Sequence, residues 1–297
     1  MKQQTMRLNV SEQVGRGINV IILGFIALCC LYPFINITVT SFSSSRAVYA
    51  GEVFLLPVEF NLDAYMEVSR DGQIFVAMKN TVLLTVVGTA LCMISTILCA
   101  YSLSKKRLFG RSAFMGMIVF TMLFSGGMIP SFLLIRSLGL MNTYWALWLG
   151  GLQSSYNMIV LRTFFQTIPD SLEEAAQIDG ASDPYILVRI VLPLSGAALA
   201  TITLFYAVGW WNTYFSAMMY ISSSTKQTLM VKLRQMLDAV QVLQSEVGMS
   251  EGSNMANIAQ ETFKAATILV SMLPIMCVYP FLQKYFTKGV MIGSVKE

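Results

Sequence analysis

A chain of 297 residues that is 55% hydrophobic and 12% charged, with a net charge of +4, is not composed like a soluble domain. It has no histidine, which removes most general-base and zinc-site chemistry, and no Gly-x-x-x-x-Gly-Lys-Ser/Thr loop to cradle ATP phosphates. Its basic residues form no cluster interleaved with aromatics, so the positive charge is no nucleic-acid footprint.

Charged residues are missing from six stretches, at about 17–45, 80–104, 112–135, 137–161, 190–222 and 265–283. Each is about as long as, or longer than, the roughly 20 apolar residues that cross a bilayer core. Backbone amides in lipid must be satisfied within the segment, so the expected fold class is an all-α membrane protein with six transmembrane helices. Twelve Lys and Arg fall in the N-terminal arm, the second and fourth connections and the tail, against eight on the other side. Positive charge is retained inside, which makes both termini cytoplasmic and the chain a multi-pass protein of the plasma membrane.

In chain order, residues 1–16 form a cytoplasmic arm and 17–297 one transmembrane domain. A cleaved signal peptide is the rival reading of the start, with small residues from Ala47 to Gly51, but the apolar run exceeds an h-region of about 7–15 residues. An external loop at 46–79 follows, then the second span and a short basic connection at Lys105, Lys106, Arg107 and Arg111. In the third span Gly126, Gly127 and Pro130 allow a kink, against which ordinary close packing has to be weighed. The fourth span carries Gln153, Tyr156 and Asn157, and the fifth carries Trp210, Trp211, Asn212 and Tyr214. Polar and aromatic groups inside spans line a cavity or pair across helices. Aromatic faces, amides and hydroxyls bind sugars, so Tyr156, Asn157, Trp210, Trp211, Asn212 and Tyr214 are the candidate substrate pathway; the alternative is helix contacts and an interfacial aromatic belt. An external segment, 222–264, with a helical stretch from Leu229 to Gln244, precedes the sixth span. Cys29, Cys30, Cys92, Cys99 and Cys277 all lie in spans and read as small packing residues.

Between the fourth and fifth spans lies a polar segment, 162–189, that reads as two short helices and a turn. Ser171 with Glu174 forms a capping-box pattern, Glu173 and Glu174 suit the helix dipole, and Ala175 and Ala176 are small helix formers. Gly180 is placed to end the helix, Ser182 or Asp183 to cap a second one with Pro184 at its first position, and Pro193 to interrupt that one at the membrane.

Glu174-Ala175-Ala176, then Gly180, then Ile190-Val191-Leu192-Pro193 resembles the EAA loop of binding-protein-dependent ABC importers, here 169–193. Tyr32-Pro33-Phe34, Ser41-Phe42-Ser43, Ala100 to Arg111, Leu138-Gly139-Leu140, Trp211-Asn212 and the tail Gly289 to Lys296 are similar to carbohydrate-uptake permeases of the maltose type. The resemblance covers nearly the whole chain. It implies a type I ABC importer transmembrane domain in which Glu173, Glu174, Ala175, Ala176, Asp179, Gly180, Ile190 and Pro193 serve a coupling helix that enters a cleft of a separate ATPase. The implied partners are a second permease, two ATP-binding subunits, an extracellular solute-binding lipoprotein and an oligosaccharide. No cofactor belongs to this chain, ATP and Mg being held by the ATPase, and no metal site or catalytic residue is expected. Other expectations stay open: an importer for a non-sugar solute such as a peptide or phosphodiester, or a membrane enzyme or scaffold without transport.

Overall fold

The computed structural model describes residues 10–70, 72–247 and 261–277. Among them every element is helical and none is a strand. They fall into two compact units, one within Met1–Arg70 and Met236–Val270, the other within Asp71–Gln235 and Ser271–Glu297.

In the first unit, α1 (Val10–Ser41) is apolar on all sides, and its stretch Gly15–Ser41 is long enough to cross a bilayer. It ends four residues before the expected limit because hydroxyls compete for its last carbonyls: Ser41 Oγ donates to Thr38 O and Ser43 Oγ to Val39 O. Ser44 then starts α2 (Ser45–Tyr49) by accepting the Ala47 amide at 3.2 Å. Arg46 pairs with Glu59, which also accepts a hydrogen bond from Ser44. Phe42 stacks on Phe60 and on Tyr65, the latter from α3 (Asp63–Arg70).

The second unit is built on α4 (Gly72–Ser104), 33 residues without a break and the other helix able to span unbroken. The three expected spans that follow are interrupted. α5 (Arg111–Leu123) and α6 (Met128–Ser137) meet at 112° where one helix, 112–135, is expected. Gly127 has φ 86° and ψ 171°, a region open essentially to glycine alone. Among the described residues, a Cβ on Gly126 would meet nothing within 4 Å. The fourth span, 137–161, is split into α7 (Tyr144–Gly150) and α8 (Ser155–Phe165), the latter capped by Ser154 Oγ accepting the Asn157 amide.

A polar helix, α9 (Asp170–Ile178), comes next, then α10 (Asp183–Ile186), a π-helical stretch Leu187–Val191 and α11 (Leu192–Leu194). Pro193 has no N–H for the carbonyl four residues back, and the ladder widens there, Leu192 N bonding Leu187 O. This rod meets α12 (Gly196–Trp211) at 87°, so the fifth span is bent and shorter than 190–222. α13 (Phe215–Tyr220), a 3-10 turn and α14 (Leu229–Val247) follow, the last containing the expected external helix. A final helix, α15, occupies 261–277. By length and composition, the described residues hold two unbroken spanning helices, or up to four if each bent pair is one span. The end of the sixth expected span, the polar stretch 248–253, Lys284, Lys288 and the tail Gly289 to Lys296 lie outside the described residues.

The core of this unit gathers Leu84, Cys92, Met158, Leu161 and Ile202, all fully buried where α4 meets α8 and α12.

A docking segment and an intramembrane cavity

The segment from α9 to α11 is ordered by its own backbone chemistry. α9 begins at Asp170 behind Pro169, two residues earlier than a Ser171 cap requires, and no side chain caps it. The expected Ser171–Glu174 capping box is therefore not formed, because Ser171 already lies inside the first turn. Asp170 and Glu173 are the acids facing the positive helix end. The C-terminus does what the glycine suggests. Gly180 has φ 82°, Ala181 N bonds Ala176 O at 2.9 Å and Gly180 N bonds Gln177 O at 3.0 Å, the two hydrogen bonds of a Schellman motif. Ser182 precedes α10 in extended conformation, with Pro184 as its second residue rather than its first.

Three consecutive basic residues after α4 meet three acids here. Lys105 pairs with Glu173, Arg107 pairs with Asp183, and Lys106 Nζ lies 3.0 Å from Asp170 Oδ2. The first pair is largely buried, with side chains 16% and 13% exposed, and Lys105 Nζ also sits 4.2 Å from the Tyr101 ring centroid. The other two pairs are open to solvent. Glu173 and Ala176 thus face the protein, whereas Leu172, Glu174, Ala175, Ile178 and Asp179 face out. Ile178, at the end of α9, is 86% exposed. Ile190 is half-buried against the core and Pro193 is exposed on the rod leading to α12.

Farther along the same unit is a cavity of about 560 Å³, whose lining includes Ser131, Gly151, Ser154, Asn157, Tyr206, Gly209, Trp210, Thr213, Ser216 and Tyr220. No charged side chain is among its lining residues. Tyr206 Oη holds two walls together, contacting Thr96 Oγ1 at 2.7 Å and accepting the Ser154 amide at 3.2 Å. Of the six expected pathway residues, Asn157 and Trp210 line this cavity. Tyr156 is exposed, Asn212 donates back to Val208 O of its own helix, and Tyr214 Oη reaches Met218 Sδ. Trp211 is buried with an indole N–H that lacks a partner among the described residues. Tyr206, Gly209 and Trp210 recur at helical spacing on one face of α12, with Thr213 just past its end, the signal that a reading by contiguous cluster overlooks.

Bent helix pairs beside an uncharged cavity, with a polar helix fastened to the end of α4, are features of a transporter's membrane subunit. The chain belongs to the family of binding-protein-dependent transport system inner membrane components, whose pattern matches residues 93–292. It is 45% identical over 285 residues to the polygalacturonan/rhamnogalacturonan transport system permease protein YtcP of Bacillus subtilis, covering 95% of this chain and 99% of the relative. It is 41% identical to Protein LplC of the same organism, covering 98% of each. A crystal structure of a bacterial ABC transporter involved in the import of the acidic polysaccharide alginate contains a chain that superimposes with a TM-score of 0.84 at 39% identity, over 95% of this chain and 100% of that one. The fold is that of a type I ABC importer permease, and the chain is a membrane component of such an importer.

Proposed function

We propose that the chain imports carbohydrate, oligosaccharides above all, as one of two permease subunits in a complex with two ATP-binding subunits and an extracellular binding protein. Both termini lie in the cytoplasm. α9 is the coupling helix: ATP binding closes the partner ATPases, α9 moves with them, and the cavity changes the side to which it opens. Catalysis of ATP hydrolysis, with its Mg, belongs to the partners.

The observation that carries this reading is the two-sidedness of α9. Its inner face is tied down by Glu173 and Ala176, while Ile178 stands 86% exposed at its tip next to a Schellman turn. Ile178 offers an apolar side chain at the free end of a polar helix, and a cleft in a partner would bury it. The relatives named above support carbohydrate as the cargo. The cavity offers hydroxyls, an amide and an aromatic edge, the groups that meet sugar hydroxyls.

The test is reconstitution in vesicles with the partner permease, the ATPases and the binding protein. Uptake of oligogalacturonides should depend on ATP and on every partner, and peptides of similar size should not be taken up. ATP hydrolysis by this chain alone would refute the division of labour.

A further inference from the structure

We infer that Lys105 is a positioning residue that fastens α9 to the end of α4, so that a displacement of α9 is delivered through α4 to the cavity wall. The inference rests on reading α9 as the coupling helix. Along the chain, α9 is linked to the cavity by poor levers. Toward α12 the path runs through the π-helical stretch Leu187–Val191 and an 87° bend, and toward α8 through the turn at 166–169. α4 is different, being unbroken for 33 residues and so about 50 Å long.

The side chains on α4 match that role at both ends. At its C-terminal end the buried Lys105–Glu173 pair grips α9, backed by the Tyr101 ring. Farther up, Gly88, Cys92 and Thr96 recur every four residues on one face. Gly88 abuts the Trp210 ring, Cys92 Sγ donates to Gly151 O, and Thr96 meets Tyr206 Oη. Trp210, Gly151 and Tyr206 all line the cavity. Lys106–Asp170 and Arg107–Asp183 are exposed pairs of the kind that contribute little, so the grip is centred on Lys105. Breaking that pair leaves a carboxylate without its cation in a largely buried place.

The experiment uses the assembled transporter in vesicles, with oligogalacturonides as the probe, and reads three quantities: ATPase retained on the chain, ATP hydrolysis, and uptake per ATP hydrolysed. Lys105→Gln should retain the ATPase while uptake per ATP falls at least about fivefold, the low end of ordinary coupling energies. The swap Lys105→Glu with Glu173→Lys should recover at least half of the loss, and Lys106→Gln should change the ratio less than twofold. If Lys105→Gln lowers chain level and uptake together with the ratio unchanged, the pair is merely structural and the inference falls. Should Lys105→Gln fail to insert, a bismaleimide bridge between Lys105→Cys and Glu173→Cys, with the four exposed native cysteines replaced and buried Cys92 kept, decides the matter: continued transport supports one moving body, and a block with the ATPase still bound overturns it. Ile178→Asp separates the two levels. If it retains the ATPase, the coupling-helix reading itself is wrong; if it loses the ATPase while Lys105→Gln leaves the ratio untouched, only the Lys105 inference fails.

Discussion

The Trp210 indole occupies the place where a β-carbon on Gly88 would stand, 2.6 Å from the indole Cε2. Gly151 approaches the same ring from the α7–α8 break, where an added Cβ would be 2.9 Å from Cη2. Trp210 is thus a cavity wall whose position is set by two glycines. Gly88→Ala should push the ring aside and cost about 1–3 kcal/mol, as overpacking usually does. Gly116→Ala in α5, where a Cβ meets nothing within 4 Å, is the matched control and should be neutral or slightly stabilising. Thermal unfolding in detergent and uptake in vesicles would be compared; equal behaviour of the two variants would contradict the slot.

In the loop after α1, the Arg46 guanidinium, with help from Ser44 Oγ, holds the Glu59 carboxyl below its ordinary range. A carboxylate depressed in the folded state stabilises above its unfolded pKa, near 4.3, and loses that contribution as pH falls through the lower folded value. Hydrogen-exchange protection of the Ala47 amide should therefore hold from neutral pH down to about 4.3 and decline only in stronger acid. In Glu59→Gln the acid-dependent decline should disappear. A decline beginning above that value would mean the pair does not order the turn.

What could be foreseen was local. Gly180, its helix and the second span follow from residues within a turn or two of one another, and all three stand in the structure, although α4 begins at Gly72, eight residues inside the stretch 46–79 expected as an external loop. The capping box failed for an equally local reason, a start set by Pro169 two residues upstream of Ser171. Lys105 with Glu173 joins positions 68 apart, and nothing in either neighbourhood announces the partner. Length and hydropathy count residues without seeing direction: Gly126, Gly127 and Pro130 allowed for a kink, but its angle of 112° is not written in an apolar run. The cluster from Trp210 to Tyr214 drew attention as contiguous sequence, yet a helix sorts its residues by face, and Asn212 was turned back onto Val208.

The proposed orientation rests on the distribution of Lys and Arg. Ser224 lies exposed in the turn before α14, and Lys106 is exposed at the α9 end. A thiol reagent that does not cross membranes should label Ser224→Cys in intact cells and reach Lys106→Cys only after permeabilisation. Labelling of Lys106→Cys in intact cells would put α9 outside and away from any ATPase.

Ile178 and Gly180 separate contact from placement at the docking segment. Ile178 contributes surface: it is 86% exposed, so its replacement leaves the fold of this chain alone. Ile178→Asp should insert normally yet weaken ATPase binding by about 2 kcal/mol or more, as expected of an anchor at the centre of an interface, which is roughly a thirtyfold loss of affinity. Gly180 contributes geometry. Its φ of 82° costs a residue with a Cβ roughly 1 kcal/mol, although the space around it is open. Asparagine tolerates that conformation and a β-branched residue does not, so Gly180→Asn should bind the ATPase better than Gly180→Val, with Gly180→Ala between them. Had bulk been the obstacle, the order would follow side-chain size and alanine would be the mildest of the three. Pull-down of the ATPase by each variant from solubilised membranes, normalised to inserted chain, gives the order directly, and a ranking by size would show that the left-handed turn does not set the helix.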